Sequence, residues 1–330
     1  MTDEGFHCLL CGDAAAPHLV QREVTGDETG RLRAVKCRAC DHVQLSPPAY
    51  SLDFYEDDGQ VNFVVDTYGT SIATIFDHSA IEANRRAARF SGHRFPRRGG
   101  ERARVLDIGG GYGFFGAAMT RLHPDVDMLV LEPSAARAEM GRRYFAERRD
   151  PDFPPPAYAT GLLDDAFVEA HAGCFDAVTA WHVLEHVADP LALLARAGRL
   201  LRPGSGSLWV EVPNLDDDLN ALSPAYRRRN FMREHISYFS PPVLERTARR
   251  LFPEAEIEVA GYQRYGIFNY FHWAYFNAPQ GASPDMFDGR DRWWLEACWR
   301  TAREASRTSD ALLLIVHPWG RPTAAEGVGR

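Results

Sequence analysis

The stretch RVLDIGGGYGFFG, Arg104–Gly116, ends an apolar run in a burst of glycines. A short apolar run followed by glycines is typical of a buried strand that turns directly into a helix. Glycines at such a turn let a ligand approach the backbone closely, and the first turn of the helix offers unpaired N–H groups. The stretch therefore predicts a ligand-binding strand-turn-helix unit.

Apolar runs of similar length recur after this unit and alternate with helical segments. The predicted helices are 114–122, 135–148, 190–201 and 242–251. The predicted strands lie in RVLDIG, DVDMLVLEP, AYATG, CFDAVTAW, GSLWVEVPN, EAEIEVAGY and DALLLIVHPW. Such alternation implies strand-helix-strand crossovers. We expect an α/β, doubly wound fold with a largely parallel sheet.

The composition narrows the class of protein. The chain has 330 residues, 45% of them hydrophobic, with a net charge of −8, and its pI is about 5.8. This balance does not favour a nucleic acid or an anionic membrane as partner. Neither a bilayer-spanning stretch nor a signal segment is recognisable. An acidic, cytoplasmic enzyme of small molecules is the expectation.

Four of the six cysteines form two tight pairs, Cys8-x-x-Cys11 and Cys37-x-x-Cys40. Two such turns can complete a closed shell of four thiolates around Zn²⁺, with no open position for chemistry. The segment between the pairs alternates polar and apolar residues around TGDETG, which predicts a short hairpin. We expect a structural zinc ribbon, and a redox pair is the alternative.

The glycine loop is compatible with two cofactors. Gly111–Gly116 matches the dinucleotide fingerprint G-x-G-x-x-G, which would make the protein an NAD-dependent oxidoreductase. Asp107, just before Gly109, instead suits a ligand that carries an ammonium and a sulfonium, as S-adenosylmethionine does. Glu132 ends the next strand, where it can accept hydrogen bonds from ribose hydroxyls of either cofactor.

The motifs VLDIGGGYG, HVLEHV and LLRPG occur in this order, together with the cysteine pairs and a final strand, SDALLLIV. In this the chain resembles class I S-adenosylmethionine-dependent methyltransferases, especially the sugar C-methyltransferase and small-molecule branch with an N-terminal zinc-binding domain. The resemblance implies a Rossmann-like sheet, mostly parallel with an antiparallel last strand, a zinc ribbon and a helical lid or insertion.

The resemblance also assigns the cofactor site. The methionine part of S-adenosylmethionine would be held by the turn, its ribose by Glu132, its adenine by the loop after AYAT, and its sulfonium by the end of FDAVTAW. The residues implied for the methionine part are Asp107, Gly109, Gly111 and Gly113. Gly161 and Leu162 are implied for the adenine, and Trp181 and His182 for the sulfonium. The family often has an acidic residue near the adenine, and Asp164 is the candidate in this chain.

Methyl transfer is an in-line displacement, so a base is needed only where the acceptor must lose a proton. His182 and His186 in WHVLEHV lie at the edge where open α/β sheets bind ligands. The stretch NFMREHISYFSP resembles the acceptor-side segment of the sugar C-methyltransferase branch. That resemblance implies that Glu234 binds acceptor hydroxyls and that His235 is the base, with His186 as a second candidate.

The organisation expected is a zinc ribbon over 1–46, a linker and helical lid over 47–100, and a cofactor-binding core over 101–264. An aromatic-rich helical insertion over 265–309 and the last core strand with its tail, 310–330, follow. Within the lid, 71–90 reads as an amphipathic helix. The apolar face of that helix would comprise Ile72, Ile75, Phe76, Ile81 and Ala88.

The acceptor expected is a small molecule, most plausibly a nucleotide-linked sugar or a natural-product intermediate, methylated on carbon, oxygen or nitrogen. Tyr50, Tyr55 or Tyr68 in the lid would contact it, and the arginines of YRRRN, 226–230, would suit an anionic handle. The aromatic run after Tyr262 is expected to form the core of the insertion. A homo-oligomer, or a scaffold that has lost catalysis and binds nucleic acid through the ribbon, is also compatible with the sequence.

Overall fold

A computed structural model of the chain describes residues 6–48, 71–90, 93, 95, 100–148, 155–280 and 292–317. The strands in chain order are β1 His18–Gln21, β2 Arg33–Lys36, β3 Val43–Ser46, β4 Ala103–Ile108, β5 Val126–Glu132, β6 Ala157–Thr160, β7 Ala177–Trp181, β8 Ser207–Pro213, β9 Ser237–Tyr238, β10 Glu256–Tyr262 and β11 Ala311–His317. The α-helices are α1 Ile72–Arg89, α2 Phe114–Leu122, α3 Ala135–Glu147, α4 Asp165–His171, α5 Pro190–Leu200, α6 Leu219–Leu222, α7 Pro224–Asn230, α8 Pro241–Leu251, α9 Ile267–Phe271 and α10 Arg292–Ser306.

The central sheet has seven strands in the order β10-β11-β8-β7-β4-β5-β6. The five strands from β8 to β6 are parallel. β11 runs antiparallel to both of its neighbours, β8 and β10. The inner strands are buried along almost their whole length, as expected of a parallel sheet covered by helices on both faces. The predicted α/β fold with an antiparallel last strand is confirmed.

The helices that follow the inner strands begin and end close to their predicted bounds. Ser134, Asp164 and Asp189 cap α3, α4 and α5 by accepting a backbone N–H in the first turn, and proline stands in the first turn of α5. These are the residue types favoured at helix starts. The starts of α3, α4 and α5 are therefore determined by local sequence signals.

The amphipathic helix at 71–90 is confirmed as α1, but its predicted apolar face is wrong in part. Ile81 is 50% exposed, and Ala88 is exposed as well. The buried positions are Ala83 and Ala87, with Phe90 following the helix. The small alanine side chains let α1 pack closely against α2. Phe90, just after α1, packs against Trp209 of β8 with ring centroids 4.3 Å apart.

A second, four-stranded sheet has the order β1-β2-β3-β9. β1 and β2 form the predicted hairpin, and β3 pairs antiparallel with β2. The fourth strand, β9, comes from residues about 190 positions further along the chain. The cysteine-bearing segment and the central fold thus share one sheet. Cys8 and Cys37 are buried in the same apolar cluster as the inner strands.

The insertion after β10 contains α9, a π-helical turn over His272–Phe276, and α10. Trp273 is buried, whereas Tyr275 is 78% and Phe276 70% exposed. The aromatic run is therefore only in part the core of this region. The three lid tyrosines Tyr50, Tyr55 and Tyr68 lie outside the described residues. None of the helices in the described ranges has the length and apolar character required to cross a membrane.

Candidate functional site

The turn between β4 and α2 forms the floor of the first cavity. Gly109 and Gly111 have φ of 64° and 57°, a region that side chains other than glycine rarely adopt. A Cβ at Gly110 would lie 2.5 Å from Asp107 Oδ2. Nothing lies within 4 Å of the position a Cβ would take at Gly111. Glycine is therefore required by backbone conformation at Gly109 and by contact at Gly110, and Gly111 leaves open space above the turn.

The glycine-loop cavity, as we call it, has a volume of about 560 Å³ and is lined by this turn and the ends of β5 and β7. Most of the residues predicted to bind the cofactor line it. They are Asp107, Gly109, Gly111, Glu132, Gly161, Leu162, Trp181 and His182. Gly113 is not among the lining residues; it precedes α2 with φ 81°. A Cβ there would clash with Tyr158. Asp164 caps α4 instead of lining the cavity.

Asp107 lies at the end of β4 and is 1% exposed. Its Oδ1 accepts a hydrogen bond from Thr179 Oγ1 at 2.7 Å. Oδ2 has no hydrogen-bond partner among the described residues. Burial raises the pKa of Asp107 to about 7, against the effect of the bond from Thr179. A buried carboxylate oxygen without a partner is costly, so this position is suited to a cationic ligand group.

Glu132, at the end of β5, is 2% exposed. Its Oε2 accepts from the Gly111 N–H at 2.9 Å and its Oε1 from the Ser134 N–H at 3.1 Å. Burial raises the pKa of Glu132, an effect opposed by Arg137 and by these N–H groups. Glu132 therefore connects the glycine turn to the neighbouring strand and presents a carboxylate to the cavity.

Arg86 of α1 also lines the glycine-loop cavity. It donates two hydrogen bonds to the fully buried Glu211 of β8, at 2.9 and 2.7 Å, and its guanidinium lies 5.3 Å from the centroid of the Trp181 ring. Burial opposes ionisation of Glu211, but Arg86 and His182 hold the pKa of Glu211 well below its usual range. No sequence pattern predicts this pair, because its members are 125 positions apart.

His182 has a positive φ of 56° at the end of β7, a strained conformation for a residue other than glycine. Its Nδ1 lies 2.9 Å from Glu185 Oε1. Its Nε2 lies 2.7 Å from Glu211 Oε1 and 2.6 Å from Arg264 Nη1. A protonated Nε2 can donate to Glu211, and a neutral one can accept from Arg264. His182 thus fixes the geometry of the charged groups on both sides of it.

A second cavity, which we call the histidine cavity, has a volume of about 320 Å³. His182 and His186 line both cavities and form the wall between them. Glu234 and His235, the predicted acceptor-side pair, line the histidine cavity alone. The structure thus brings together the three predicted catalytic residues, Glu234, His235 and His186, next to the predicted cofactor site. Both volumes are of the size typical of small-molecule sites.

The protonation states of this group follow from burial. Burial and the nearby His186 lower the pKa of His235 to about 3, so its imidazole is neutral at pH 7. His186 Nδ1 lies 2.8 Å from the Glu234 carbonyl oxygen; because a carbonyl only accepts, Nδ1 carries the hydrogen. Neither carboxylate oxygen of Glu234 has a hydrogen-bond partner among the described residues, and burial raises the pKa of Glu234.

Several residues of the histidine cavity were missed by the sequence reasoning. Arg264 lines it, and its Nε donates to Asp310 Oδ2 at 2.9 Å. Of the arginines in YRRRN, Arg229 lines the cavity, whereas Arg227 bonds to Gln21 and to the Val20 carbonyl in β1. Trp273 and Tyr265 add aromatic surface. The arginine run and the aromatic run were visible signals, but not which of their members face the cavity.

The four paired cysteines lie close together in the ribbon. Their Sγ atoms lie within 4.8 Å of one another. Cys8 and Cys40 are 3.5 Å apart, and Cys11 and Cys37 are 3.6 Å apart. Four sulfurs at about 2.3 Å from one tetrahedral ion would be about 3.8 Å apart. The separations and the donor set therefore fit a closed Zn²⁺ shell.

The ribbon is bound directly to the segment that carries Glu234 and His235. β3 pairs with β9, which follows His235 by one residue. The Leu45 N–H donates to the Ile236 carbonyl at 2.9 Å, and the Arg233 N–H donates to the Thr25 carbonyl at 2.9 Å. From the other side, the Ile236 N–H donates to the Glu185 carbonyl. The acceptor-side pair is thus held between the ribbon and the HVLEHV segment.

The sequence of the chain is similar to those of known methyltransferases. A family model described as a methyltransferase domain matches residues 80–251. Proteins named ubiquinone biosynthesis O-methyltransferase are similar over 112 residues, 34% of this chain. They include one from Xanthomonas campestris pv. campestris with 37% identity and one from Xanthomonas oryzae pv. oryzae with 36%. The match covers 44% of the length of these curated relatives.

Solved structures with a similar arrangement include phosphoethanolamine N-methyltransferase 2 from Haemonchus contortus in complex with S-adenosyl-L-methionine. It has 15% identity and a TM-score of 0.48, covering 78% of this chain and 60% of that one. An O-methyltransferase family protein from Burkholderia thailandensis has 14% identity and a TM-score of 0.47, covering 81% and 64%.

Proposed function

We propose that this chain, which belongs to the methyltransferase-domain family, uses S-adenosylmethionine bound in the glycine-loop cavity to methylate a small molecule held in the histidine cavity. The observation that carries this proposal is the shared wall. His182 and His186 line both cavities, so a methyl donor in one would lie next to an acceptor in the other.

The residues of the glycine-loop cavity fit S-adenosylmethionine. The unpartnered Asp107 Oδ2 would accept the cofactor's ammonium, and Glu132 would accept its ribose hydroxyls. Gly161 and Leu162 would lie at the adenine and Trp181 near the sulfonium, where an aromatic face stabilises positive charge. When bound, the cofactor supplies a methyl group made electrophilic by its sulfonium. A dinucleotide pyrophosphate would place negative charge against Asp107.

The protein's own contribution is to position the acceptor and to take its proton. We assign these tasks to Glu234, His235 and His186, which face the histidine cavity. At pH 7 His235 is neutral and therefore able to accept a proton or a hydrogen bond. Glu234 would accept hydrogen bonds from acceptor hydroxyls, because its carboxylate oxygens have no hydrogen-bond partner among the described residues and only a long ion pair, 3.8 Å, to Arg233. Positioning in a near-attack geometry would provide most of the rate enhancement.

The acceptor class follows from the cavity walls. Arg229 suits an anionic group, and Trp273 with Tyr265 suits a flat or apolar face. Sugars linked to a nucleotide and hydroxylated natural-product intermediates combine these features. The relatives named as O-methyltransferases favour oxygen as the methylated atom. Carbon methylation, as in the sugar C-methyltransferase branch, is the second candidate.

We propose further that Cys8, Cys11, Cys37 and Cys40 bind a structural Zn²⁺. The ion would hold the ribbon in shape, and the ribbon in turn would hold β9 and the adjacent Glu234 and His235. This role needs no nucleic acid and no membrane partner. It also gives a reason why the zinc site lies in one apolar cluster with the central sheet.

The test is formation of S-adenosylhomocysteine from S-adenosylmethionine with a panel of nucleotide-linked sugars and hydroxylated aromatic acids as acceptors. With an active acceptor, His235→Ala should lower turnover by at least about 100-fold. The affinity for S-adenosylmethionine should change by less than about threefold, since His235 does not line the glycine-loop cavity. Undiminished turnover in His235→Ala would exclude His235 as the base.

A further inference from the structure

We propose that Glu185, His186 and His235 form a second metal site, distinct from the cysteine cluster, that binds a divalent transition-metal ion at the wall of the histidine cavity. One ligand atom from each of these residues lies within 4.8 Å of the other two. Two imidazoles and one carboxylate are donors that such ions take in proteins. The inference rests on the proposed function only for the identity of the ligand that completes the site.

Each of the three side chains is prepared for this role. Glu185 is 1% exposed; its Oε1 accepts from His182, and its Oε2 has no hydrogen-bond partner among the described residues. His235 Nδ1 is buried and likewise has no partner there. A buried carboxylate oxygen and a buried imidazole nitrogen left in this state cost free energy. A cation between them would remove that cost.

The surroundings resemble those that orient metal ligands. His186 Nδ1 donates to the Glu234 carbonyl at 2.8 Å, which fixes the tautomer and leaves Nε2 as the ligand atom, 3.7 Å from Glu185 Oε1. His182 holds the Glu185 carboxylate from behind. Hydrogen bonds of this kind to a carbonyl and to a carboxylate are the usual second layer around a bound ion.

The distances require only a small adjustment. Donors at about 2.1 Å from one ion are about 3.0–3.4 Å apart, so the side chains would move inward by small rotations. The positive charge of Arg264 in the same cavity is paired with Asp310 at 2.9 Å.

The position of the site indicates what the ion would do. Glu185, His186 and His235 all line the histidine cavity, and His186 also lines the glycine-loop cavity. Three protein ligands leave coordination positions open for an acceptor hydroxyl, whose pKa the ion would lower. The hydroxyl proton would pass to Glu234. The oxygen lone pair would form the bond to the methyl carbon, and the electron pair of the broken carbon–sulfur bond would return to sulfur. His235 would then serve as a ligand instead of the base.

The experiment is a titration of the full-length protein, with its cysteine site loaded with Zn²⁺, by Co²⁺. One equivalent should bind with the weak visible absorption of nitrogen and oxygen coordination and without a thiolate charge-transfer band. Glu185→Gln and His235→Gln should each weaken Co²⁺ binding by at least about tenfold. Glu258→Gln is the matched control. It removes a carboxylate 3.5 Å from His317 at a distant sheet edge and should leave Co²⁺ binding unchanged.

The two variants change different segments, so one remains informative if the other does not fold by thermal melting. Absence of Co²⁺ binding up to about 1 mM, or equal binding by both variants and the wild type, would overturn the inference. Titration with S-adenosylmethionine separates this from failure of the proposed function. Neither Glu185 nor His235 lines the glycine-loop cavity, so cofactor affinity should stay within about threefold in both variants.

Discussion

The two cavities share a wall but are built in different ways. The floor of the glycine-loop cavity is formed by consecutive residues of the turn between β4 and α2, so that Asp107 and Gly111 are neighbours in sequence and in space, and its walls include the ends of the parallel strands β5 and β7. The histidine cavity is formed by segments that meet only in the folded protein. Its pair Glu234 and His235 lies between the cysteine ribbon and the HVLEHV segment.

From this difference we predict which interactions each of the two cavities depends on. The glycine-loop cavity should survive changes that loosen the ribbon, because its geometry is set by the ladder between β4 and β5. The histidine cavity should not, because β9 has the ribbon strand β3 as its ladder partner.

The largest effect is expected at Glu211, which connects the two regions. Glu211→Ala would leave Arg86 buried without its partner and remove one of the carboxylates that face His182. Breaking a buried ion pair from one side typically costs about 3–5 kcal/mol, and we expect that loss in the free energy of unfolding measured by urea titration. Glu245→Ala is the control; its ion pair with Arg249 is partly exposed and worth less than about 1 kcal/mol. An equal loss in the free energy of unfolding of both variants would show that the Arg86–Glu211 pair stabilises the fold no more than a partly exposed ion pair does.

Removal of the Zn²⁺ proposed for the ribbon should have the next largest effect. Without the ion, we expect β3 to hold β9 less firmly, so amide exchange in residues 231–238 should accelerate by about 100-fold or more. Exchange in β4 and β5 should change by less than about threefold. Hydrogen exchange followed by mass spectrometry, before and after chelation, measures both. Uniform acceleration in the two regions would contradict the comparison.

The cofactor side should also respond to pH through Asp107, whose pKa burial raises to about 7. The carboxylate, not the neutral acid, would pair with the cofactor's ammonium, so binding is favoured above this pKa and weakens as the pH falls through it. The apparent Kd for S-adenosylmethionine should rise by up to about tenfold for each pH unit below 7. Calorimetry from pH 7.5 down to about pH 5.5 would show this, and Asp107→Asn should flatten the dependence.

The smallest expected effect concerns the contact between the ribbon and α8. Arg246 donates to the Cys40 carbonyl at 2.6 Å from an exposed position. Arg246→Ala should lower stability by about 1 kcal/mol, seen as faster exchange at 231–238 with no change in affinity for S-adenosylmethionine. An altered cofactor affinity would show that the ribbon influences both cavities.

The sequence predicted the strand, turn and helices around the glycine loop well because their signals are local. Strand, glycine turn and helix follow one another at 104–122, and Ser134 marks the start of α3. The acceptor side was predicted only through motif resemblance. The pairing of β3 with β9 and the bond from Arg86 to Glu211 join residues more than 120 positions apart, and no periodicity in the sequence reports such pairings.

The face of α1 illustrates the same limit on a smaller scale. Ile81 and Ala88 fit an apolar period but are exposed, whereas Ala83 and Ala87 are buried. Small side chains contribute little to a hydrophobic pattern, even where close helix packing requires them. Likewise Gly113 matched the cofactor motif, but the space beside it is occupied by Tyr158.

Calorimetric titration of the Zn²⁺-loaded protein with S-adenosylmethionine and, separately, with NAD tests whether the glycine-loop cavity is the site for S-adenosylmethionine. The wild type should bind S-adenosylmethionine and not NAD. Glu132→Ala should weaken that binding by at least about tenfold, and Glu234→Gln, in the other cavity, by less than about threefold. Binding of NAD in its place, or equal loss in both variants, would contradict the assignment of the two cavities.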